Sequence, residues 1–132
     1  MAIRIVQLGS ARTANEGVRI GTVRRPPRGV RKTDYARLDF YDTWLPQLAP
    51  SAQLVGWIKK RPHTAEGWRL FEKKYTHELF SPDNMKLLDL LAALSKKSDF
   101  SIGCYCQDET RCHRSILGKV LAQRGALVRG QG

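Results

Sequence analysis

The sequence predicts an α/β fold: a single domain over residues 1–132, with three layers and a small, mostly parallel sheet flanked by helices. Three observations predict it. The order of segments is strand, strand, several helices, strand and helix. The chain is long enough for one hydrophobic core, and 42% of its residues are hydrophobic. Neither an internal repeat nor a low-complexity tract suggests a second domain.

Two strands are expected near the N-terminus. Residues 2–8, AIRIVQL, are rich in β-branched side chains and stop at a Gly-Ser pair. Residues 18–25 alternate apolar and other side chains and stop at two prolines. Residues 26–50 contain four prolines and little periodicity. We therefore expect this segment to be an ordered loop whose aromatic side chains pack against the rest of the domain.

Three helices are expected next, each starting after a good N-cap residue. Ser51, Thr64 and Ser81 all precede segments with apolar side chains at helical spacing. Pro82 and Asp83 are both favoured in the first turn of a helix. The middle of the chain is therefore predicted to be helical from about residue 51 onward.

A strand, a helix and a short last strand are expected in the remaining part of the chain. Residues 100–106, FSIGCYC, form the clearest strand, a helix starts near Cys112, and residues 126–128 are apolar. Alternation along the strand predicts that Cys104 is a buried, inert core residue. Cys106 falls at the carboxyl end of the strand, where open α/β sheets place their ligand sites.

The charge predicts an anionic partner. The chain has 23 basic and 12 acidic side chains, which gives a formal net charge of +11. Such a balance is typical of proteins that bind nucleic acid, a phosphorylated ligand or an acidic surface. The densest cluster is RRPPRGVRK, residues 24–32, with five basic side chains. We expect Arg25 and Arg28 of this basic loop to contact the partner.

The sequence also predicts the cellular location of the protein. No apolar run approaches the roughly 20 residues that a membrane helix needs, and the N-terminus lacks the apolar stretch of a signal peptide. We expect a cytoplasmic protein that does not bind membranes. Cytoplasmic thiols stay reduced, and an odd count of three cysteines argues against a disulfide framework.

The segment GCYCQDETRCHRS, residues 103–115, is the main candidate for chemistry. A helix N-terminus offers unpaired N–H groups and the positive end of the helix dipole, so it attracts anions. The residues at and before the expected helix start add cations and a hydroxyl donor. The predicted ligand-binding set here comprises Arg111, Arg114 and Ser115, beside Cys112 and His113.

Two other interpretations of the same segment stay open. Cys106 or Cys112 beside His113 is a candidate catalytic thiol–imidazole pair. The pattern C-x-C-x5-C-H also offers four metal-ligand types, although it is not the paired C-x2-C spacing of structural zinc sites. Adjacent residues of a helix point about 100° apart. Because this ligand spacing is poor for a tetrahedral site, we expect the protein to be largely metal-free, and we expect no cofactor.

The two candidate segments are expected to face each other. If the strands are parallel, the basic loop and residues 106–115 leave the sheet at the same edge. The prediction is an anion or phosphate site there, in a protein that is either an enzyme or a binding protein for a phosphorylated or nucleotide-like compound. The alternative is a nucleic-acid-binding module that uses its basic surface. We expect replacement of Arg28 or Arg114 to leave the fold intact, because neither is placed on an apolar face.

Three groups of residues carry a resemblance to a known family. They are Arg25, Pro27, Arg28 and Gly29, then Trp44 with Leu48 to Ser51, and finally Cys112 to Ser115. With these motifs the chain resembles, roughly over residues 3–125, the bacterial and archaeal domain of unknown function 488. The chain differs at Pro26, where members of the family often have Trp. The resemblance implies an α/β fold and a site near these motifs, and it implies no particular reaction.

Overall fold

A computed structural model describes residues 2–61, 63–106 and 112–129, and it has an α/β architecture. Within these ranges, five parallel strands form one sheet in the order β3-β2-β4-β1-β5. The predicted fold class and the parallel sheet are confirmed. The strands are β1 (Ile3–Gln7), β2 (Val18–Gly21), β3 (Thr43–Trp44), β4 (Phe100–Cys104) and β5 (Val128–Arg129). The helices are α1 (Ala52–Lys59), α2 (Ala65–Leu79), α3 (Pro82–Ser95) and α4 (His113–Gln123).

The strands are shorter than the sequence predicts. β2 ends at Gly21, although the alternating pattern continues to residue 25. β4 ends at Cys104, two residues before the end of its apolar pattern. β3 was not predicted. It is only two residues long and exposed, so it carries no recognisable hydrophobic pattern.

The helix starts are confirmed by their capping hydrogen bonds. The side-chain oxygens of Ser51, Thr64 and Ser81 each accept a hydrogen bond from the main-chain N–H three residues later. α4 begins differently: Cys112 is its N-cap residue with extended dihedral angles (φ −123°, ψ 146°), and its side chain makes no capping bond. α4 is followed by Gly125, whose φ of +93° suits the expected C-terminal stop.

The main hydrophobic core lies between the sheet and the helices. Ile5 and Ile102 occupy paired positions on β1 and β4, and both are almost completely buried. They belong to one cluster that also contains apolar side chains of all four helices. The aromatic stripe of α2, including Phe71 and Tyr75, is part of this core, as its helical spacing predicts.

Loops cover the other face of the sheet. Tyr41, from the segment before β3, is 4% exposed and lies against Gly21 of β2. A β-carbon at position 21 would overlap the Tyr41 ring, so this close approach requires glycine. Tyr35 packs edge-on to Tyr41 at a centroid distance of 5.2 Å. The prediction that the proline-containing loop is ordered through its aromatic residues is confirmed.

A buried ion pair joins this loop layer to the sheet. The guanidinium of Arg19 on β2 lies 2.7 Å from the Glu16 carboxylate, and the two side chains are 0% and 2% exposed. Glu16 also accepts hydrogen bonds from the Ser101 hydroxyl and the Thr13 N–H, and these partners together lower the pKa of its carboxyl group despite burial. Arg19 donates to two main-chain carbonyl groups, those of Ser10 and Asp39.

None of the helices in the described ranges has the length and apolar character that crossing a membrane requires.

Candidate functional site

The loops that follow β1, β2 and β4 meet at the carboxyl edge of the sheet, as the parallel topology predicts. The Tyr105 hydroxyl donates a hydrogen bond of 2.9 Å to the carbonyl oxygen of Arg25. Gln7, at the end of β1, donates through Nε2 to the carbonyl oxygen of Tyr105 at 3.3 Å. The basic loop and the segment after β4 are therefore in direct contact.

Two adjoining cavities open at this edge and share Arg25, Lys59 and Tyr105. The first has a volume of about 490 Å³, and Cys106 and His113 lie in its wall. The second, of about 660 Å³, reaches along the basic loop to Arg28. We call the two together the edge crevice. The further lining residues are Val23, Arg24, Pro50, Ala52, Val55, Gly56 and Cys104 in the first cavity, and Pro26, Pro27 and Phe40 in the second.

The charge of the edge crevice is positive. Among the described residues that line it, Arg24, Arg25, Arg28 and Lys59 are cationic, and none is an aspartate or glutamate. The guanidinium of Arg24 makes contacts within the protein, because it donates hydrogen bonds to the carbonyl oxygens of Pro46, Ala49 and Pro50. Arg25, Arg28 and Lys59 are exposed and carry the charge that a ligand would meet.

The basic loop has a defined conformation. The indole Nε1 of Trp44 donates a 2.7 Å hydrogen bond to the carbonyl oxygen of Val23. Gly29 has a φ of +76°, a main-chain conformation that residues other than glycine rarely adopt. Together with the Arg24 contacts, these features fix the path of the chain between the two exposed arginines. Arg25 and Arg28 are thus presented from an ordered main chain.

Arg114 has a structural position that the sequence did not predict. Its side chain is buried, and Nη1 donates a 2.7 Å hydrogen bond to the carbonyl oxygen of Cys106. The same nitrogen lies 3.5 Å from the Cys104 carbonyl oxygen. The expectation that Arg114 can be replaced without disturbing the fold is therefore wrong, because its guanidinium holds the end of β4 against the start of α4.

His113 is neutral at the pH of a cell. Desolvation by burial is the largest effect on its pKa, which falls to about 4, and the Arg114 charge acts in the same direction. Nε2 lies 2.5 Å from the carbonyl oxygen of Thr22, which can only accept a hydrogen bond. The proton of the neutral ring therefore resides on Nε2. Nδ1 carries the lone pair and lies 4.0 Å from the sulfur of Cys112.

The three cysteines lie together at this edge. Cys104 and Cys112 are both 1% exposed and are disulfide-bonded in the structure. The expected burial of Cys104 is confirmed, whereas the expectation that the chain has no disulfide is not. Cys106 is exposed and lies outside that bond. All three sulfur atoms lie within 4.8 Å of one another.

The predicted site residues thus fall into three groups. Arg25, Cys106 and His113 line one cavity, and Arg28 lines the cavity beside it. Cys112, Arg114 and Ser115 make contacts within the protein; the Ser115 hydroxyl donates to the carbonyl oxygen of Cys112 at 2.8 Å. Arg111 lies outside the described residues.

Sequence reasoning missed two residues of the edge crevice, Lys59 and Tyr105. Lys59, in the last turn of α1, and Tyr105 line both cavities. Basic residues at the end of a helix, such as Lys59, are usually solvent-exposed and carry no functional signal. The packing of α1 is needed to show that Lys59 lines the crevice. Arg12, which follows β1, forms ion pairs with Asp39 and Asp42 and lines neither cavity.

A larger cavity, of about 780 Å³, lies between α1 and α2. Its wall includes Trp57, Leu70, Phe80 and the carboxylate of Glu78, so it lacks the purely cationic character of the edge crevice. We therefore place the candidate anion site at the edge of the sheet.

Comparison with protein families gives one finding. The family model DUF488-N3a, described as the active DUF488-N3 subclade, matches residues 3–125. Comparison with curated proteins and with solved structures gives no match. The family match includes the basic loop, β4 and the start of α4, so every described part of the edge crevice lies within it.

Proposed function

The chain belongs to the DUF488 family, in a subclade described as active, and we propose that it binds a phosphorylated or nucleotide-like anion in the edge crevice. The observation that carries the proposal is the convergence of Arg25, Arg28 and Lys59 around two adjoining cavities. Anionic ligands are favoured there because no carboxylate stands among the described lining residues.

The arginines suit phosphate oxygens in particular. A guanidinium presents its N–H groups in a planar fork, which donates two parallel hydrogen bonds to phosphate or carboxylate oxygens. Arg25 and Arg28 are exposed and are separated by two prolines that restrict the main chain between them. This restriction reduces the conformational entropy that binding must remove.

His113 has a different role from the cations. As a neutral ring it adds no positive charge, and its Nε2 is already engaged with Thr22. The expected assignment of Cys106, Cys112 and His113 as catalytic residues stays a prediction. Of the three, only Cys106 combines exposure with a place in the crevice wall near Arg25 and Lys59. Positive charge near a thiol favours its thiolate form.

Calorimetric titration of the purified chain with inorganic pyrophosphate, a nucleoside triphosphate and a short oligonucleotide tests the proposal. Arg25→Ala and Arg28→Ala should each remove one charge-assisted contact, on the order of 1.5–3 kcal/mol, and weaken binding about tenfold or more. Lys86→Ala is the matched control, because Lys86 is an exposed cation on α3 that lines neither cavity. Equal affinity of all four proteins for every ligand would refute the edge crevice as the site.

The nucleic-acid alternative is separated by salt dependence. The net charge of +11 favours it, because a basic surface binds phosphates along a strand and releases counterions. A nucleic-acid-binding module predicts that oligonucleotide affinity falls steeply with salt and that Lys86→Ala weakens it as much as Arg28→Ala does. A phosphate site in the edge crevice predicts instead that, at constant ionic strength, Arg25→Ala and Arg28→Ala lose ligand affinity whereas Lys86→Ala does not.

A further inference from the structure

The three cysteines converge more closely than the sequence pattern implies. Cys104, Cys106 and Cys112 place their sulfur atoms within 4.8 Å of one another, although the first and last are eight positions apart. In a tetrahedral zinc site with Zn–S bonds of about 2.3 Å, the sulfur atoms lie about 3.8 Å apart. The Cα atoms of Cys104 and Cys112 are 7.5 Å apart, whereas disulfide-bonded cysteines are usually separated by at most about 6.8 Å. The Cα–Cα distance of Cys104 and Cys112 therefore suits a metal ion bound by both sulfur atoms.

The structure also removes one of the two sequence objections to a metal, the one that concerns the directions of adjacent side chains. That objection treated Cys112 and His113 as consecutive residues of one helix, whose side chains point in different directions. Cys112 is instead the N-cap residue, with the dihedral angles of an extended chain. Its side chain therefore does not follow the helical periodicity, and its sulfur reaches Cys104 at the end of β4.

The surroundings match those of a thiolate metal site. Nδ1 of His113, which carries the lone pair, lies 4.0 Å from the Cys112 sulfur, while Nε2 donates to the Thr22 carbonyl. Metal-binding histidines usually donate their other ring N–H to such an acceptor. Nη1 of Arg114 lies 3.8 Å from the Cys104 sulfur, and a guanidinium there stabilises a thiolate.

We propose that Cys104, Cys106 and Cys112 form a three-sulfur binding site for a thiophilic divalent cation of the zinc class. This site goes beyond the proposed function and does not rest on it, because Arg25, Arg28 and Lys59 hold an anion without any sulfur. The metal links the end of β4 to the start of α4. It also makes Cys106 a ligand, so metal binding and a nucleophilic role of Cys106 exclude each other.

The metal binds the reduced protein. Opening the Cys104–Cys112 disulfide takes two electrons and two protons from a dithiol reductant, which is itself oxidised to a disulfide. Binding of one divalent cation then releases the three thiol protons and leaves a complex with one net negative charge before the arginine is counted. Oxidation of the same cysteine pair removes two of the three sulfur ligands and expels the metal.

Equilibrium dialysis of the full chain against Zn²⁺ with a competing chelator, followed by elemental analysis, tests the proposal. The reduced protein should retain one zinc ion per chain, and the oxidised protein none. Cys106→Ser removes a metal ligand and should weaken zinc binding by at least about 100-fold. Removing a residue that only hydrogen-bonds to a metal ligand already weakens metal binding by about 10–100-fold. Cys106 is exposed and outside the disulfide, so this variant preserves the folded core.

The control variant is His77→Asn, which removes an exposed histidine on α2 far from the cysteines in sequence. It should bind zinc as tightly as the wild type does. Three results would each overturn the proposal: equal zinc content of the reduced and oxidised proteins, unchanged affinity of Cys106→Ser, or an equal loss in His77→Asn. Zinc dialysis of Arg28→Ala keeps the two proposals distinguishable, because Arg28 lines only the second cavity of the edge crevice and provides no sulfur, so zinc binding should persist in that variant.

Discussion

Replacing Glu16 by glutamine should test how much the buried ion pair contributes to stability. The Glu16 carboxylate accepts four hydrogen bonds, two from Arg19 and one each from Thr13 and Ser101. Glutamine keeps one acceptor oxygen and leaves the Arg19 charge buried without its counterion. Breaking such a pair typically costs about 3–5 kcal/mol, a large part of the roughly 5–15 kcal/mol that stabilises a domain.

Urea unfolding of Glu16→Gln at neutral pH measures this cost. Glu72→Gln is the control, because Glu72 pairs with Lys119 at 3.2 Å on the surface, where an ion pair contributes about 0–1 kcal/mol. The difference between wild type and Glu16→Gln should shrink in acid. The folded protein lowers the pKa of Glu16, so its contribution is present above the unfolded pKa and is lost as pH falls through the folded value. A cost no greater than that of Glu72→Gln would refute the reasoning.

Two further predictions follow from His113 and Gly21. In an NMR titration the imidazole of His113 should titrate near pH 4. The unfolded ring binds its proton at higher pH, so this residue should lower the free energy of unfolding as pH falls below about 6.5. Titration at the ordinary histidine value would contradict the burial of the ring. Gly21→Ala should destabilise the domain by about 1–3 kcal/mol in thermal unfolding, because the added methyl group overlaps the Tyr41 ring. The control Gly56→Ala meets no atom and lies inside α1, so it should stabilise the domain slightly, because alanine favours a helix over glycine.

Local signals carried most of the fold prediction. Ser51, Thr64 and Ser81 were recognisable as N-caps because capping depends on a side chain and the N–H three residues later. The shared edge of the basic loop and the segment after β4 followed from parallel strands alone. The exposed position of Cys106 at that edge likewise followed from the end of a strand pattern.

Contacts between distant segments were beyond the reach of the sequence. Arg114 was expected at the surface because arginine usually lies there, whereas its guanidinium satisfies carbonyl groups at the end of β4. The buried pairing of Glu16 with Arg19 depends on the loop layer that covers them. The direction of the Cys112 side chain was beyond the sequence, because α4 begins at His113, and that single position decides whether the Cys112 sulfur follows the helical period.

The order of the strands also has a consequence for how the chain folds. Among the described residues, β1 pairs with β4 and β5 and β2 pairs with β3 and β4, so within these ranges the two N-terminal strands do not pair with each other. During synthesis on the ribosome, the central strand becomes available only after residue 104 has left the exit tunnel. Until then the helices of residues 52–95 can form locally, but β1 has no partner strand. Such long-range pairing makes folding slow compared with that of helical bundles, and it leaves the apolar β1 exposed until late in synthesis.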